Sequence, residues 1–465
     1  MAEHLVFLTG HLAKARLESI LSGLGETSFT CEIVDIGVKV AALMTEEIII
    51  RRLPRPVRAD RVILPGRYRG DLERLSETFG VSFVRGPDEV ADLPVFLGRA
   101  GVPVDLSRHE MRIFAEIVDA STLPIEALLE RALKLALAGA DVIDLGCLPD
   151  TPFPCLEEAI ARLKAEGLAV SVDSADPAEL ERAARSGADY LLSLNEETLG
   201  IATRHEVTPI LVPAVAGDLG SLGRAIAAAQ SAGIPFIADP VLDPIHFGFA
   251  DSLGRFIEAR RRWPKVEMMM GTGNLTELTD ADSAGVTAIL AGLCSELSIG
   301  NVLIVNVSPH TLRTVEEHDR ARRIMAAAKR DHALPRGYDP GLLQIHDRRP
   351  FPNTAEDIEA LAETVRDANF RIMTAPDGVH IFNAKGHWTA EDAFELFPLL
   401  NVEQDGGHAF YLGAELTKAE IAWKLGKRYA QDEPLHWGVA VPQTEDDRKR
   451  LAKAGHTLRT KKSDP

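Results

Sequence analysis

One pattern constrains this chain more than any other. A short apolar run followed by an amphipathic helix recurs eight times across 109–332. The clearest copy is 167–195, GLAVSVDSADPAELERAARSGADYLLSLN. An apolar run at 168–172 ends in Asp173. A helical stretch then sets Leu180, Ala183, Ala184 and Ala188 on one side, and a second run at 190–194 ends in Asn195. Strand, helix, strand with a polar residue closing each strand is the parallel β/α unit. In such sheets ligands sit at the carboxyl ends of the strands.

The other apolar runs are 113–118, 142–145, 209–212, 235–238, 266–270 and 302–305. Helical patterns separate them, for example at 125–137, 156–166, 219–232 and 281–297. Eight parallel strands with eight crossovers predict a (β/α)8 TIM barrel. A doubly wound open sheet is the other arrangement, but it usually has fewer strands and a glycine fingerprint at its first turn. No such fingerprint is present.

The residues at or just after the strands are Asp119, Asp144, Asp173, Asn195, Pro213, Asp239, the run GTGN containing Asn274, and Asn306. No Lys or Arg stands directly at a strand end. A ring of carboxylates and amides suits a neutral heterocycle rich in N–H donors. A carboxylate accepts two parallel N–H bonds, and an amide offers one donor and one acceptor. Taken singly, each of these residues also suits a helix cap or a turn. Clustered carboxylates also suit a metal, but no His is among them, so no metal is expected. The three methionines at 268–270 read as core filler.

Bulk composition narrows the partners. The formal net charge is -18, from 51 basic and 69 acidic side chains. That argues against nucleic acid or an anionic membrane, which both reward basic surfaces. No apolar run is long enough to span a bilayer. The N-terminal MAEHLVFLTG lacks the basic and long apolar regions of a secretory signal. Cys31, Cys147, Cys155 and Cys294 are scattered and form no CxxC pair. A cytoplasmic protein is expected.

Two domains flank the barrel. Residues 1–108 read as a small α/β domain, with strands at 5–8, 30–35, 59–64 and 81–84 and helices at 13–24 and 71–79. Gly10 and Gly66, at strand–helix turns, suit either turn geometry or close approach to a phosphate. The stretch 86–104 reads as a linker. Residues 333–465 read as an α+β domain that opens on a linker at 335–352. A hairpin is expected at 370–383 and a helix at 389–396 capped by Thr389. A strand at 409–412, a turn at Gly413 and a helix at 415–427 follow. His408, Tyr411, Lys418, Lys424, Lys427 and Arg428 form a basic cluster, suited to an anionic cofactor tail or a partner domain, or simply a solvated helix face. The tail RTKKSDP is charged and expected to be disordered.

The motifs GADVIDLG, VSVDS, LLSLN and ADPVLDP, in that order, resemble the pterin-binding barrel of dihydropteroate synthases and corrinoid-dependent pterin methyltransferases. The whole chain resembles the dihydropteroate-synthase-related proteins of methanogens and methylotrophs, which are associated with tetrahydromethanopterin-linked one-carbon metabolism. The resemblance implies a reduced pterin, of the tetrahydromethanopterin or dihydropterin type, as substrate or ligand, with no covalently bound cofactor. It implies that Asp173 contacts the pterin ring, that Asn195 meets the pyrimidine edge, and that Asp239 grips the 2-amino group and N3. Asp119 lies where the synthases carry an asparagine, with Asp144 on the next strand. Asn274 lies where the methyltransferases carry an asparagine able to reach N5, and Asn306 is closer to their eighth strand.

The departures bear on the reaction. The synthases hold the pyrophosphate leaving group with cations after strands two, seven and eight. Here those segments read GCLPDTPFPC, GTGNLTEL and VLIVNVSPHT, without Lys or Arg. Lys265 precedes its strand and so lies at the other end of the barrel. His310 and Arg313, just beyond strand eight, are the remaining anion-binding candidates. Three readings stay open: a synthase-like transferase, a pterin methyltransferase-like protein, and a non-catalytic pterin carrier or assembly subunit. An unrelated barrel lyase using a metal stands apart from these. A second copy of the chain or a one-carbon pathway protein is the macromolecular partner that fits.

Overall fold

The computed structural model describes residues 2–99, 104–402 and 404–442. The chain divides into two compact units, Met1–Asp339 and Pro340–Pro465. The first holds both the small α/β domain and the barrel. The tail RTKKSDP lies outside the described residues.

The small domain is a four-stranded parallel sheet in the order Phe29–Asp35, Glu3–Thr9, Arg61–Leu64, Ser82–Arg85. Its central strand is apolar on both faces because both are covered. Val6 and Leu8 pack with Ile49 and Leu75, while Leu5 and Phe7 pack with Leu17, Leu21 and Leu93. The expected linker at 86–104 is partly structured: Leu93–Phe96 is a helical turn begun by Pro94, and Leu93 is core. At Gly10 and Gly66 the space a side chain would need is filled by neighbouring backbone, with Val38 O 2.8 Å and Asp88 N 2.5 Å from an added Cβ. The domain is tied to the end of the barrel's last helix. Arg16 pairs with Asp331 at 2.6 Å and lies over the Tyr338 ring, and Arg336 pairs with Glu89 at 2.7 Å.

The barrel strands are Arg112–Ile117, Val142–Gly146, Ala169–Asp173, Tyr190–Leu194, Thr208–Leu211, Ile237–Ala238, Met269–Gly271 and Asn301–Ile304. All pair in parallel, each with its sequence neighbour, and the eighth pairs with the first. A parallel bridge between Ala238 and Met268 joins the sixth and seventh strands. The sheet is thereby a closed (β/α)8 barrel with no free edge.

Alternation along each strand stacks the interior in layers. At the amino end Arg112 donates to Asn301 Oδ1 at 2.9 Å and to the Tyr190 hydroxyl at 2.8 Å, and it pairs with Glu267. Above that polar plug, Phe114, Val142, Leu192, Ile210, Ile237 and Met269 form an apolar layer. Two residues further along the same strands come Glu116, Asp144 and Asp239. The outer faces pack against helices such as Ile125–Ala138 and Leu219–Ala232. These end in left-handed Gly139 and Gly233, the glycine C-cap a helix stop favours. Met268, Met269 and Met270 are buried core, as their sequence suggests.

The second unit contains the helix Ala355–Thr364, begun by a Thr354/Asp357 capping box, and an antiparallel sheet Arg371–Ala375, Gly378–Asn383, Gly386–Ala390. Two expectations are corrected. The stretch around Thr389 is a third strand, because Trp388 and Thr389 pair with Ile381 and His380. The helix that follows is a single turn, Ala393–Leu396, capped by Asp392. The strand and turn expected at 409–413 are instead part of one helix, Gly406–Leu425, capped by Asp405. Gly413 has open space where a side chain would point. The roughly 1 kcal/mol a helical glycine costs is outweighed by burying Leu412, Leu416, Ala419 and Ala422 on one stripe.

One histidine ties the barrel's seventh loop to its last helix, Thr314–Arg330. His318 is fully buried and its Nδ1–H donates to Thr314 O at 2.7 Å, so Nε2 accepts from the Thr272 hydroxyl at 2.9 Å. Burial holds its pKa down at about 4, against an ordinary 6.5. Above pH 6.5 the neutral ring costs nothing. As pH falls from 6.5 towards 4, the unfolded chain takes up a proton that the folded chain refuses. Stability should therefore drop by about 1.4 kcal/mol per pH unit, to a total of roughly 3 kcal/mol. Denaturation of the parent and of His318→Gln at pH 7 and pH 4.5 checks this, since the variant should lose less on acidification.

Candidate functional site

The mouth of the barrel gathers carboxylates. Glu116, Asp144 and Ser171 are register partners across the first three strands, and Asp173 closes the third. Asp239 follows the sixth strand, with its backbone N–H donating to Leu211 O at 2.8 Å. Asp144 is fully buried. Its Oδ1 is bonded by the Ser171 hydroxyl, and its Oδ2 has no partner among the described residues. Gly146 makes room for the group, since a Cβ there would lie 2.7 Å from Glu116 Oε1.

Burial raises every one of these pKa values, and the charge of neighbouring acids adds to it at Glu116, Asp144 and Asp239. Burial, then the charge of Asp173, lifts Glu116 to about 7. Burial, then Glu116 and Asp173, carries Asp144 well above the carboxylate range. Burial raises Asp173 too, against a pull from the Ser193 hydroxyl. Asp239 is lifted to about 7 by burial and by Asp173, although the Val241 N–H and Arg255 favour its charged form. A pocket of acids that resist ionisation is complementary to N–H donors, each of which stabilises the charged carboxylate.

Two backbone distortions lie in this region. Ser193 has φ 61° at a register shift in the fourth strand, and its hydroxyl turns toward Asp173. Val241 has φ 68°, costly for a β-branched residue. Hydrogen bonds hold it on both sides: its N–H donates to Asp239 Oδ1 at 2.7 Å, and its carbonyl accepts from Arg255 at 2.8 Å. Arg255, on the helix Phe249–Arg262, also pairs with Asp243 at 2.6 Å. It clamps the loop that presents Asp239.

The amides are placed unequally. Asn195 Oδ1 already accepts from the backbone of Glu197 and Thr198, at 2.9 and 3.3 Å, so its Nδ2 is what it can offer a ligand. Asn274 is the reverse: Nδ2 donates to Leu242 O at 2.8 Å, which leaves Oδ1 as acceptor. Asn306, after the eighth strand, is half-buried. Asp119 does not join the cluster. It lies beyond its strand and pairs with Arg131 at 2.8 Å. Glu116, two residues before the end of that strand's apolar run, supplies the carboxylate instead. Strict alternation from Arg112 through Phe114 would have found it.

The anion-binding candidates are engaged elsewhere. Arg313 pairs with Glu316 at 2.8 Å, and His310 Nε2 lies 3.1 Å from Thr276 O. Most of the basic cluster of the second unit is engaged within that unit. Lys418 pairs with Glu415 and Lys424 with Glu420, while buried Lys427 donates to Gln344 O at 3.0 Å. Among the described residues no group of three or more His, Cys, Asp and Glu is arranged to hold a metal, and no helix is long and apolar enough to cross a membrane.

Residues 3–88 match a family of unknown function, DUF6513. An uncharacterised protein of Methanocaldococcus jannaschii is 24% identical over 525 aligned positions, covering 92% of this chain and 98% of that protein. Similar solved structures include a dihydropteroate synthase of Thermus thermophilus, 21% identical with a TM-score of 0.37, covering 48% of this chain and 95% of that one. Another is the Xanthomonas albilineans dihydropteroate synthase in complex with 7,8-dihydropteroate, 22% identical with a TM-score of 0.37, covering 50% of this chain and 96% of that one.

The raised acids have a stability consequence. Unfolded Glu116 ionises near 4.5, but folded Glu116 resists until about 7. Its favourable contribution is complete below pH 4.5 and is lost as pH rises through 7. Glu116→Gln should therefore stabilise the protein at pH 8 by about 1–3 kcal/mol, and by less at pH 5. Thermal midpoints at the two pH values check the sign.

Proposed function

We propose that the barrel mouth binds the pyrimidinone edge of a reduced pterin, and that the chain serves tetrahydromethanopterin-type one-carbon metabolism as a group-transfer protein. The observation that carries this reading is Asp239. Its Oδ1 is oriented by the Val241 N–H, its Oδ2 has no partner among the described residues, and burial leaves it short of hydrogen-bond donors. A pterin's 2-amino and N3–H groups are two parallel donors of the right spacing for one carboxylate. Asp173 would take a further ring N–H, and the Nδ2 of Asn195 would meet a ring acceptor. Asn274 Oδ1 is an acceptor suited to an N–H at N5. Asp144 supports from beneath, and Asn306 closes the rim.

A second reading has its own support. Pyrophosphate departure needs cations around the leaving group, whereas Arg313, His310 and Arg255 are all held by other partners. This favours a methyltransferase-like role or a non-catalytic pterin carrier over conventional dihydropteroate synthesis. Turnover by the purified protein separates a carrier from an enzyme. Calorimetric titration with tetrahydromethanopterin, tetrahydrofolate and dihydropterin pyrophosphate identifies the ligand.

Two outcomes are expected. Asp239→Asn places an N–H₂ opposite a ligand donor, which should cost roughly 2–4 kcal/mol, or about thirty- to a thousandfold in pterin affinity. Parent-like binding by the variant would remove Asp239 as the anchor. Dihydropterin pyrophosphate should bind no more than about tenfold tighter than the matching pterin alcohol, because charge-assisted bonds worth about 1.5–3 kcal/mol each are missing. Competition between the two ligands measures this. Efficient dihydropteroate formation from 4-aminobenzoate would show that a cation reaches the leaving group after all.

A further inference from the structure

The second unit holds a cleft of about 780 Å³ that is independent of the barrel site. Phe370, Trp388 and Tyr411 line it, together with Asn369, Gln431 and the carboxylate of Asp432. The aromatic groups are fixed before any ligand arrives. The Phe370 and Trp388 rings lie 6.4 Å apart at 46°. The indole rests against Gly386, where an added Cβ would meet it at 2.7 Å. Tyr411 donates to Asp432 at 2.6 Å and accepts from Gln431 at 3.1 Å, and Gln431 in turn holds Ile372 N and Phe370 O.

The charges at this cleft are uneven. Arg371 is held by Asp367 at 2.6 and 2.7 Å, and His408 by Asp405 at 2.7 Å. Lys385 is different. Its backbone N–H donates to Asn383 Oδ1 at 2.8 Å, but its exposed ammonium has no acidic partner among the described residues. The Trp388 indole N–H likewise has no acceptor among them. In an acidic protein, an aromatic platform beside an unpaired ammonium and a spare N–H donor is a site for a planar ring that carries an anion.

We infer that this cleft binds a planar heteroaromatic monophosphate of the mononucleotide class. The base stacks on Trp388 and the phosphate meets Lys385. The volume falls within the range of small-molecule sites. The inference does not depend on the pterin reading of the barrel.

The test is a titration of the full chain with AMP, adenosine and inorganic phosphate, followed by calorimetry. AMP should bind saturably and about tenfold tighter than adenosine, reflecting the one charge-assisted contact. Phosphate alone should bind more weakly than either. Lys385→Ala, at an exposed position, should bring AMP down to the adenosine level, and Lys385→Arg should restore it. Trp388→Ala should weaken both nucleoside ligands about tenfold, while Trp388→Phe retains a stacking face and guards against a folding defect. Asp239→Asn should leave AMP binding unchanged. AMP binding no tighter than adenosine overturns the proposal. So does AMP affinity that survives Lys385→Ala, or the absence of saturable binding.

Discussion

Closure of the eight-stranded sheet is the constraint on which the site depends. With Ala238 bridged to Met268 and the eighth strand paired to the first, alternate residues on the strands point into one shared interior. That interior fills with a polar plug around Arg112, an apolar layer around Phe114 and Met269, and a layer of acids at the carboxyl end. The apolar layer lies beneath the acids, between them and the polar plug.

The acids are destabilising as they stand. Burial takes them out of water, and at Glu116, Asp144 and Asp239 the charge of a neighbouring acid adds to the push toward the neutral form. A structure holds such groups only if packing elsewhere exceeds the cost, and sites of this kind commonly give up stability for binding. The strained Val241 belongs to the same trade. Its conformation is retained because Asp239 and Arg255 each hold one of its backbone groups. Arg255 thus holds the loop that presents Asp239 while its own guanidinium is taken up by Asp243 and two backbone carbonyls.

The second unit uses different physics. Its basic side chains are mostly cancelled by nearby acids, so the charge pattern read along its longest helix does not describe its surface. What remains is an aromatic cleft where Phe370, Trp388 and Tyr411 meet, lined also by Lys385, whose ammonium has no acidic partner among the described residues.

The repeat of apolar run and amphipathic helix, with Asp or Asn closing most strands, is local information. It was enough to predict the barrel and to point to Asp144, Asp173, Asn195 and Asp239 as residues at its carboxyl end. The small N-terminal sheet was legible for the same reason: its two inner strands, covered on both faces, carry unbroken apolar runs. Tertiary structure decided the rest. Glu116 is aimed inward by strand parity, which alternation along the sequence already carries, while the diversion of Asp119 to Arg131 is seen only once the strand and its following helix are packed. Gly413 reads as a turn, yet burial of one helical stripe against a sheet overrides a local preference worth about 1 kcal/mol. Whether a cation is free to bind an anion depends on which carboxylate folds beside it. For His310 the partner is the Thr276 carbonyl, 34 residues earlier in the chain, which only the fold brings beside it, whereas Arg313 is engaged by Glu316, three residues on along the same helix.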